Sequence, residues 1–226
     1  MNLFEFDAQF NKIIIGTDEA GRGPAAGGVF ASAVCFTKNI FIPELNDSKK
    51  LTKKKRESIY DIILNETINS TVCVEVEEIE KINILNASLK AMKIACENVA
   101  CHCEELATKQ SSLLSYPNKR LDCFANARND ILILVDGNKL IKNFPHPQKY
   151  IVKGDGKSAS IAAASVLAKV TRDRYMEELH EKYPQYNWAQ NAGYLTPEHL
   201  NAIDKYGLTP HHRPLFLRKH FSLKLQ

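Results

Sequence analysis

Apolar and β-branched residues run together or alternate with polar ones over Lys12 to Thr17, Val29 to Phe36, Ile68 to Val76, Ile131 to Val135 and Tyr150 to Lys153. That period-two patterning predicts strands. A different spacing holds from about Ile84 to Leu106, where Leu85, Leu89, Met92, Cys96 and Val99 recur at alternating steps of four and three. These residues share one face of a helix, turned toward the core. A second long helix is expected from about Ser158 to Lys182, and its small-sided first half, I-A-A-A-S-V-L-A-K-V, lets it approach a sheet closely. A third has Thr196 as N-cap, Pro197 at its first position and Gly207 at its end. The polar stretch from about Ala107 to Asp130 lacks periodicity and reads as an inserted loop or short hairpin. This order of elements, with an antiparallel start, predicts an α/β fold: a mixed sheet flanked by helices, then a small helical C-terminal part.

With 226 residues and 44% hydrophobic content, the chain can bury a full core and is most simply one domain. No apolar run approaches the roughly 20 residues of a membrane span, and Met1 to Gln9 carries acids with no basic leader. A cytosolic location is expected. Cys35, Cys73, Cys96, Cys101, Cys103 and Cys123 are scattered without C-x-x-C spacing, which predicts reduced thiols. Cys101, His102 and Cys103 have no matching distant pair and make a weak zinc set. Net charge is only +4, but Lys49, Lys50, Lys53, Lys54, Lys55 and Arg56 cluster, as do Arg213, Arg218, Lys219 and Lys224. Each cluster is either a solvated face or a track for a phosphate backbone.

The chemistry concentrates where strands give way to glycine. I-I-I-G-T-D-E-A-G-R-G-P at Ile13 to Pro24 carries Asp18 and Glu19 into a break supplied by Gly21 and Gly23. Neighbours on a strand face opposite ways, so these two acids are expected to converge where the strand ends. Asp136 closes the apolar run I-L-I-L-V ahead of Gly137, and Asp155 sits between Gly154 and Gly156 just before the small-sided helix. One Asp-Gly pair is usually a plain turn. Several strand ends that each present a carboxylate point instead to a crevice for a hard cation, Mg²⁺ or Mn²⁺.

Taken in order, the motifs resemble the ribonuclease HII family, the type 2 ribonucleases H. They are G-T-D-E-A-G-R-G-P at Gly16 to Pro24, L-N-D-S-K-K-L at Leu45 to Leu51 and V-D-G-N at Val135 to Asn138. The long run V-K-G-D-G-K-S-A-S-I-A-A-A-S-V-L-A-K-V-T-R-D spans Val152 to Asp173, followed by A-G-Y-L-T at Ala192 to Thr196 and H-H-R at His211 to Arg213. The resemblance covers Ile13 to Phe216, apart from the polar segment.

It implies a ribonuclease H-like core over 1–183 and a helical substrate-binding part over 184–226. The implied enzyme is a metal-dependent endonuclease, expected to act as a monomer. It cuts the RNA strand of RNA·DNA hybrids, and cuts 5′ of a single ribonucleotide in duplex DNA, leaving 5′-phosphomonoesters. Asp18, Glu19, Asp136 and Asp155 would be the catalytic groups and hold two Mg²⁺ or Mn²⁺ ions about 4 Å apart, one beside the attacking water and one beside the leaving oxygen. Gly21, Arg22 and Gly23 would read the ribose 2′-hydroxyl, and Tyr194 would stack on the next deoxyribose. Lys49, Lys50, Lys153 and Ser158 would contact phosphates. Lys169 and Arg172 are expected to hold the C-terminal helices through ion pairs. Leu195 and Pro214 depart from the family pattern, the second at a place where a further basic residue would touch phosphate. Neither a membrane nor a protein partner is implied.

Three rival readings stand beside it. The sister family, ribonuclease HIII, typically lacks the arginine between the glycines and carries an extra N-terminal domain, whereas Arg22 is here and the first strand begins by Lys12. A non-catalytic nucleic-acid-binding module would be expected to have lost a carboxylate, and all four are present. No G-x-G-x-x-G or G-x-x-x-x-G-K-[ST] pattern supports a nucleotide-binding enzyme.

Overall fold

The computed structural model describes residues 2–36, 40–46, 48, 51–112 and 130–224, without the side chains of 106–112 and 223–224. Strands β1 (Ile13–Ala20), β2 (Val29–Cys35), β3 (Ile68–Val74), β4 (Ile131–Asp136) and β5 (Gln148–Ile151) form one sheet in the order β3-β2-β1-β4-β5. β1 pairs antiparallel with β2 and parallel with β4, so it lies at the centre of a mixed sheet. The helices are α1 (Leu3–Ala8), α2 (Lys53–Glu66), α3 (Val76–Ile82), α4 (Ile84–Ser112), α5 (Ala159–Lys182), α6 (Trp188–Asn191), α7 (Pro197–Tyr206) and α8 (Pro214–Lys224).

Period-two alternation sorts the sheet residues onto two layers. Ile15, Ile131, Ile133 and Val135 face α4, where Met92, Cys96 and Val99 complete the core. Ile14 and Leu134 face the other way and pack with Ile151 and Ile161 of α5, while α2 and α5 join above β2 through Ile59, Ile63, Ala163 and Val166. The alanine-rich half of α5 is buried on nearly every side. Its approach is closest at Gly16, where a Cβ would stand 2.2 Å from the Ser160 carbonyl carbon and 2.3 Å from the Ile161 nitrogen. Backbone atoms cannot swing aside. Gly16→Ala should therefore push α5 off β1 and lower stability by roughly 1–3 kcal/mol or more, read as the midpoint of urea unfolding. A midpoint equal to wild type would show that the helix has slack here.

Several expectations change. β5 begins earlier and stops at Ile151, and β3 stops at Val74. α4 continues to Ser112, so the polar segment begins as helix, and 113–129 lies outside the described residues. α1, α2 and α3 were not foreseen. Lys53 to Arg56, read as part of a basic cluster, form the first turn of α2 and are largely engaged within the protein: Lys53 pairs with Glu177 at 2.5 Å and Lys55 with Glu44 at 3.6 Å. Arg56 donates to the carbonyls of Ser48 and Leu51 at 2.9 and 2.6 Å. Of the scattered cysteines, Cys103 turns inward onto Cys35 while Cys101 is exposed.

Candidate active site

The acid groups gather at the carboxyl end of the central strand pair. The parallel rungs between β1 and β4 end at Thr17 and Val135, but β1 runs on to Ala20 against β2. Asp18 and Glu19 thus converge beyond the end of the β4 pairing, not beyond the end of their own strand as expected. The next residue of β4 is Asp136. Its Oδ1 accepts the Gly154 N–H at 2.7 Å, which ties the turn Gly154–Gly156, and with it Asp155, to the end of β4.

Asp18 and Asp155 are each only 5% exposed. Burial, then the charges of Glu19 and Asp136, hold the Asp18 carboxyl well above the usual carboxylate range. Burial also raises Glu19, against the Arg22 guanidinium, whose Nη1 donates to Glu19 Oε1 at 3.0 Å. Arg22 is therefore a local counterion of the acid group, a role its place between two glycines did not foretell. Among the described residues no three acidic, histidine or cysteine side chains are gathered as an ion cage. Each acid has a partner within the protein instead: Asp18 Oδ1 faces the Glu19 N–H at 2.7 Å, Asp136 faces Gly154, and Glu19 faces Arg22. The donor set itself is all carboxylate oxygens, with Asp18, Glu19 and Asp136 in mutual repulsion, and suits a hard divalent cation, which would relieve that repulsion.

Beside the acids, the Gly21-Arg22-Gly23 turn meets the C-terminal helices. Tyr194, 53% exposed, lays its ring against Gly23, where a Cβ would stand 3.3 Å from Tyr194 Cε1. Ala25 N–H donates to Gly193 O at 2.9 Å, and Arg213 N–H to Ala25 O at 2.8 Å, so three segments are laced together. Two buried guanidinium groups complete the lacing. Arg213 donates to the carbonyls of Gly21, Pro24 and Gly27, and Arg172 to those of Gly28, Ala26 and Ala192. Arg172 is thus a clamp on backbone carbonyls and, among the described residues, not an ion-pair partner, while Lys169 pairs with Asp173 at 2.6 Å one turn along its own helix and not with the C-terminal helices. Arg213 is fully buried, so it is no surface phosphate contact.

Ser158 also corrects its expectation. It is the buried N-cap of α5, its hydroxyl oxygen accepting from the Ile161 N–H at 3.2 Å, and the anion at this terminus is the protein's own Asp7, which accepts from the Ser160 N–H and hydroxyl at 2.8 Å each. Lys153 is exposed in a left-handed conformation next to Asp155. Lys49 and Lys50 lie outside the described residues.

The matching family model is that of ribonuclease HII, over residues 15–224. The chain belongs to the ribonuclease HII family. The ribonuclease HII of Caldanaerobacter subterraneus is 46% identical over 207 residues, covering 91% of this chain and 74% of that one. In fold, the chain is similar to the ribonuclease H2 of Pyrococcus horikoshii, with TM-score 0.61, 24% identity and coverage of 91% and 95%. It is also similar to Bst-RNase HIII in complex with Mn²⁺, with TM-score 0.60, 14% identity and coverage of 95% and 70%. Membership of the ribonuclease HII family makes the chain a ribonuclease H-like nuclease and sets aside the sister family and the non-catalytic module. Among the described residues no helix is long and apolar enough to cross a membrane.

Residues to which the sequence assigned no role hold the Tyr194 loop in place. His199 Nδ1 lies 2.9 Å from Tyr194 O, an acceptor, so that nitrogen carries the proton. His199 Nε2 then accepts from Trp188 Nε1 at 3.0 Å and from His212 Nε2 at 3.2 Å, while His212 Nδ1 accepts from the Thr209 N–H at 2.9 Å. Every ring nitrogen is used once both rings are neutral. Burial lowers both, and with the neighbouring His199 it pushes His212 down to about 4 from 6.5. A depressed histidine contributes stability that is complete above the unfolded value and is lost as pH falls toward the folded one. The advantage of wild type over His212→Asn should therefore shrink by about 3 kcal/mol between pH 6.5 and pH 4 in chemical unfolding. A gap that does not change with pH would mean that His212 is already charged in the native state.

Proposed function

We propose that the protein is an endoribonuclease that hydrolyses the RNA strand of RNA·DNA hybrids and cuts 5′ of single ribonucleotides embedded in duplex DNA. Residues 184–226 serve as its substrate-binding part. The observation that carries the reading is the grouping of Asp18, Glu19 and Asp136 beside a Gly-Arg-Gly turn against which an exposed tyrosine ring is laid.

Asp18, Glu19, Asp136 and Asp155 would hold Mg²⁺ or Mn²⁺, two ions per site. When bound, such ions supply an activated water and charge stabilisation at the leaving 3′ oxygen, leaving a 5′-phosphate. The chain's own groups do the rest. Arg22 keeps Glu19 oriented through its guanidinium. The backbone of Gly21 to Gly23 would meet the ribose 2′-hydroxyl. Tyr194 gives the following deoxyribose an apolar face, and Lys49, Lys50 and Lys153 would contact phosphates.

The test is a duplex carrying one ribonucleotide, incubated with Mg²⁺ or Mn²⁺ and mapped for a single cut on its 5′ side. Tyr194→Ala should then lose at least about tenfold more kcat/KM on that substrate than on a long RNA·DNA hybrid, since the stacked sugar is a deoxyribose only at a junction. Equal losses on both would return Tyr194 to simple packing.

A further inference from the structure

The sequence motif L-N-D-S-K-K-L and the small-sided helix meet at one point that no motif role explains. Ser48 Oγ and Ser165 Oγ are 2.8 Å apart, and the two side chains are 3% and 4% exposed. What Ser165 faces on its other side follows from how α5 lies on β1. Gly16 abuts Ser160 and Ile161, and Gly21 abuts the side chain of Arg172. The strand advances about 17 Å over that interval, at about 3.3 Å per residue, and the helix about 18 Å, at 1.5 Å per residue, so the two run alongside in the same direction. Asp18 is two residues beyond Gly16 and on the same sheet face, about 6.6 Å along, which is four to five helical residues beyond Ser160 and Ile161. That residue is Ser165, whose hydroxyl is a hydrogen-bonding neighbour of the Asp18 carboxylate.

We propose that Ser165, backed by Ser48, is a positioning residue that holds Asp18 in the orientation from which it ligates a divalent cation. In the ionised form in which it would ligate a cation, Asp18 only accepts, so the single Ser165 proton then points to Asp18 and the Ser165 oxygen accepts from Ser48. The direction of the chain is thereby set: Ser48 to Ser165 to Asp18. Ser48 is itself fastened by Arg56, which donates to its carbonyl at 2.9 Å. Partners behind a metal ligand keep it oriented before the ion arrives.

This inference rests on the proposed cation role of Asp18, and the experiment separates the two. Wild type, Ser165→Ala, Ser48→Ala and the double variant are compared in three measurements. These are the metal concentration for half-maximal cleavage, the affinity for Mn²⁺ by calorimetry without substrate, and the affinity for uncut hybrid in EDTA. Ser165→Ala should raise the half-saturating metal concentration by about 10- to 100-fold and weaken Mn²⁺ binding in parallel, with hybrid binding unchanged. Ser48→Ala should move both in the same direction by less, and the double variant should be no worse than Ser165→Ala, as expected for groups acting in series. If Ser165→Ala fails to fold, as judged by circular dichroism, the Ser48→Ala measurements decide alone. Wild-type metal affinity in the folded variants, or fully additive losses, would overturn the relay while leaving the proposed function standing. Metal-independent cleavage by wild type would overturn that function, and the relay with it.

Discussion

Asp136→Asn is expected to lower kcat at saturating metal by at least about 10³-fold, roughly 4 kcal/mol of transition-state stabilisation. Asparagine retains an Oδ1 to accept the Gly154 N–H, now made at 2.7 Å, so the turn carrying Asp155 stays in place. What disappears is one negative charge facing Asp18 and Glu19. Two consequences follow in opposite directions. Cation binding weakens because an anionic donor is gone, whereas the apo protein gains, because a source of repulsion that raises Asp18 has been removed. The metal-free variant should therefore melt at or above the wild-type temperature, the trade between stability and activity expected of a charged site. Hybrid affinity measured in EDTA should stay within about twofold, since the residues proposed to contact phosphate are left intact. Near-wild-type turnover would remove Asp136 from the catalytic set.

The second large effect is expected far from the acids in sequence. Arg213→Ala should destabilise the protein by roughly 3–5 kcal/mol, because a buried cation's hydrogen bonds vanish and three carbonyls are left without their donor. Its guanidinium reaches Gly21 O and Pro24 O at 2.8 Å and Gly27 O at 2.8 and 2.6 Å. Burial and the neighbouring Arg172 both disfavour its charge, which these carbonyl dipoles offset in the absence of a carboxylate partner in its hydrogen bonds. Lysine at this position is a compact point charge that cannot span the same fork, so Arg213→Lys should recover less than half of the loss. Because Gly21 belongs to the turn beside the acids, preference for a ribonucleotide-containing duplex over plain DNA should fall along with stability. Unfolding midpoints for both variants, read against that preference, check the assignment. A midpoint unchanged in Arg213→Ala would mean that the loop needs no clamp.

Much of the site was legible because it is written in local terms. Strands that end in an acid beside glycine, at Asp136 and around Asp155, need only near neighbours to be recognised, as does the helix from Pro197 to Tyr206 with Thr196 and Gly207 as its caps. α2 escaped notice because its first turn is Lys53-Lys54-Lys55-Arg56, and it buries few residues, Ile59, Tyr60 and Ile63 among them. Sign and solubility dominated the reading there.

The sequence by itself determined which acids sit beside glycine near the strand ends, which face of each strand and of α4 is apolar, and where α5 and α7 begin. These follow from chain geometry with periods of two and 3.6, which acts over a few residues. Only the tertiary structure decided that Arg213 and Arg172 are buried clamps instead of surface charges, and that Asp7 occupies the N-terminus of α5. It alone decided that His199 and His212 lock together under the Tyr194 loop. Each of the first three depends on partners more than a hundred residues away in the chain for Arg213 and Asp7, and on several separate segments for Arg172. A long polar side chain looks the same in sequence whether water or a backbone carbonyl will accept its protons, and only packing removes the water.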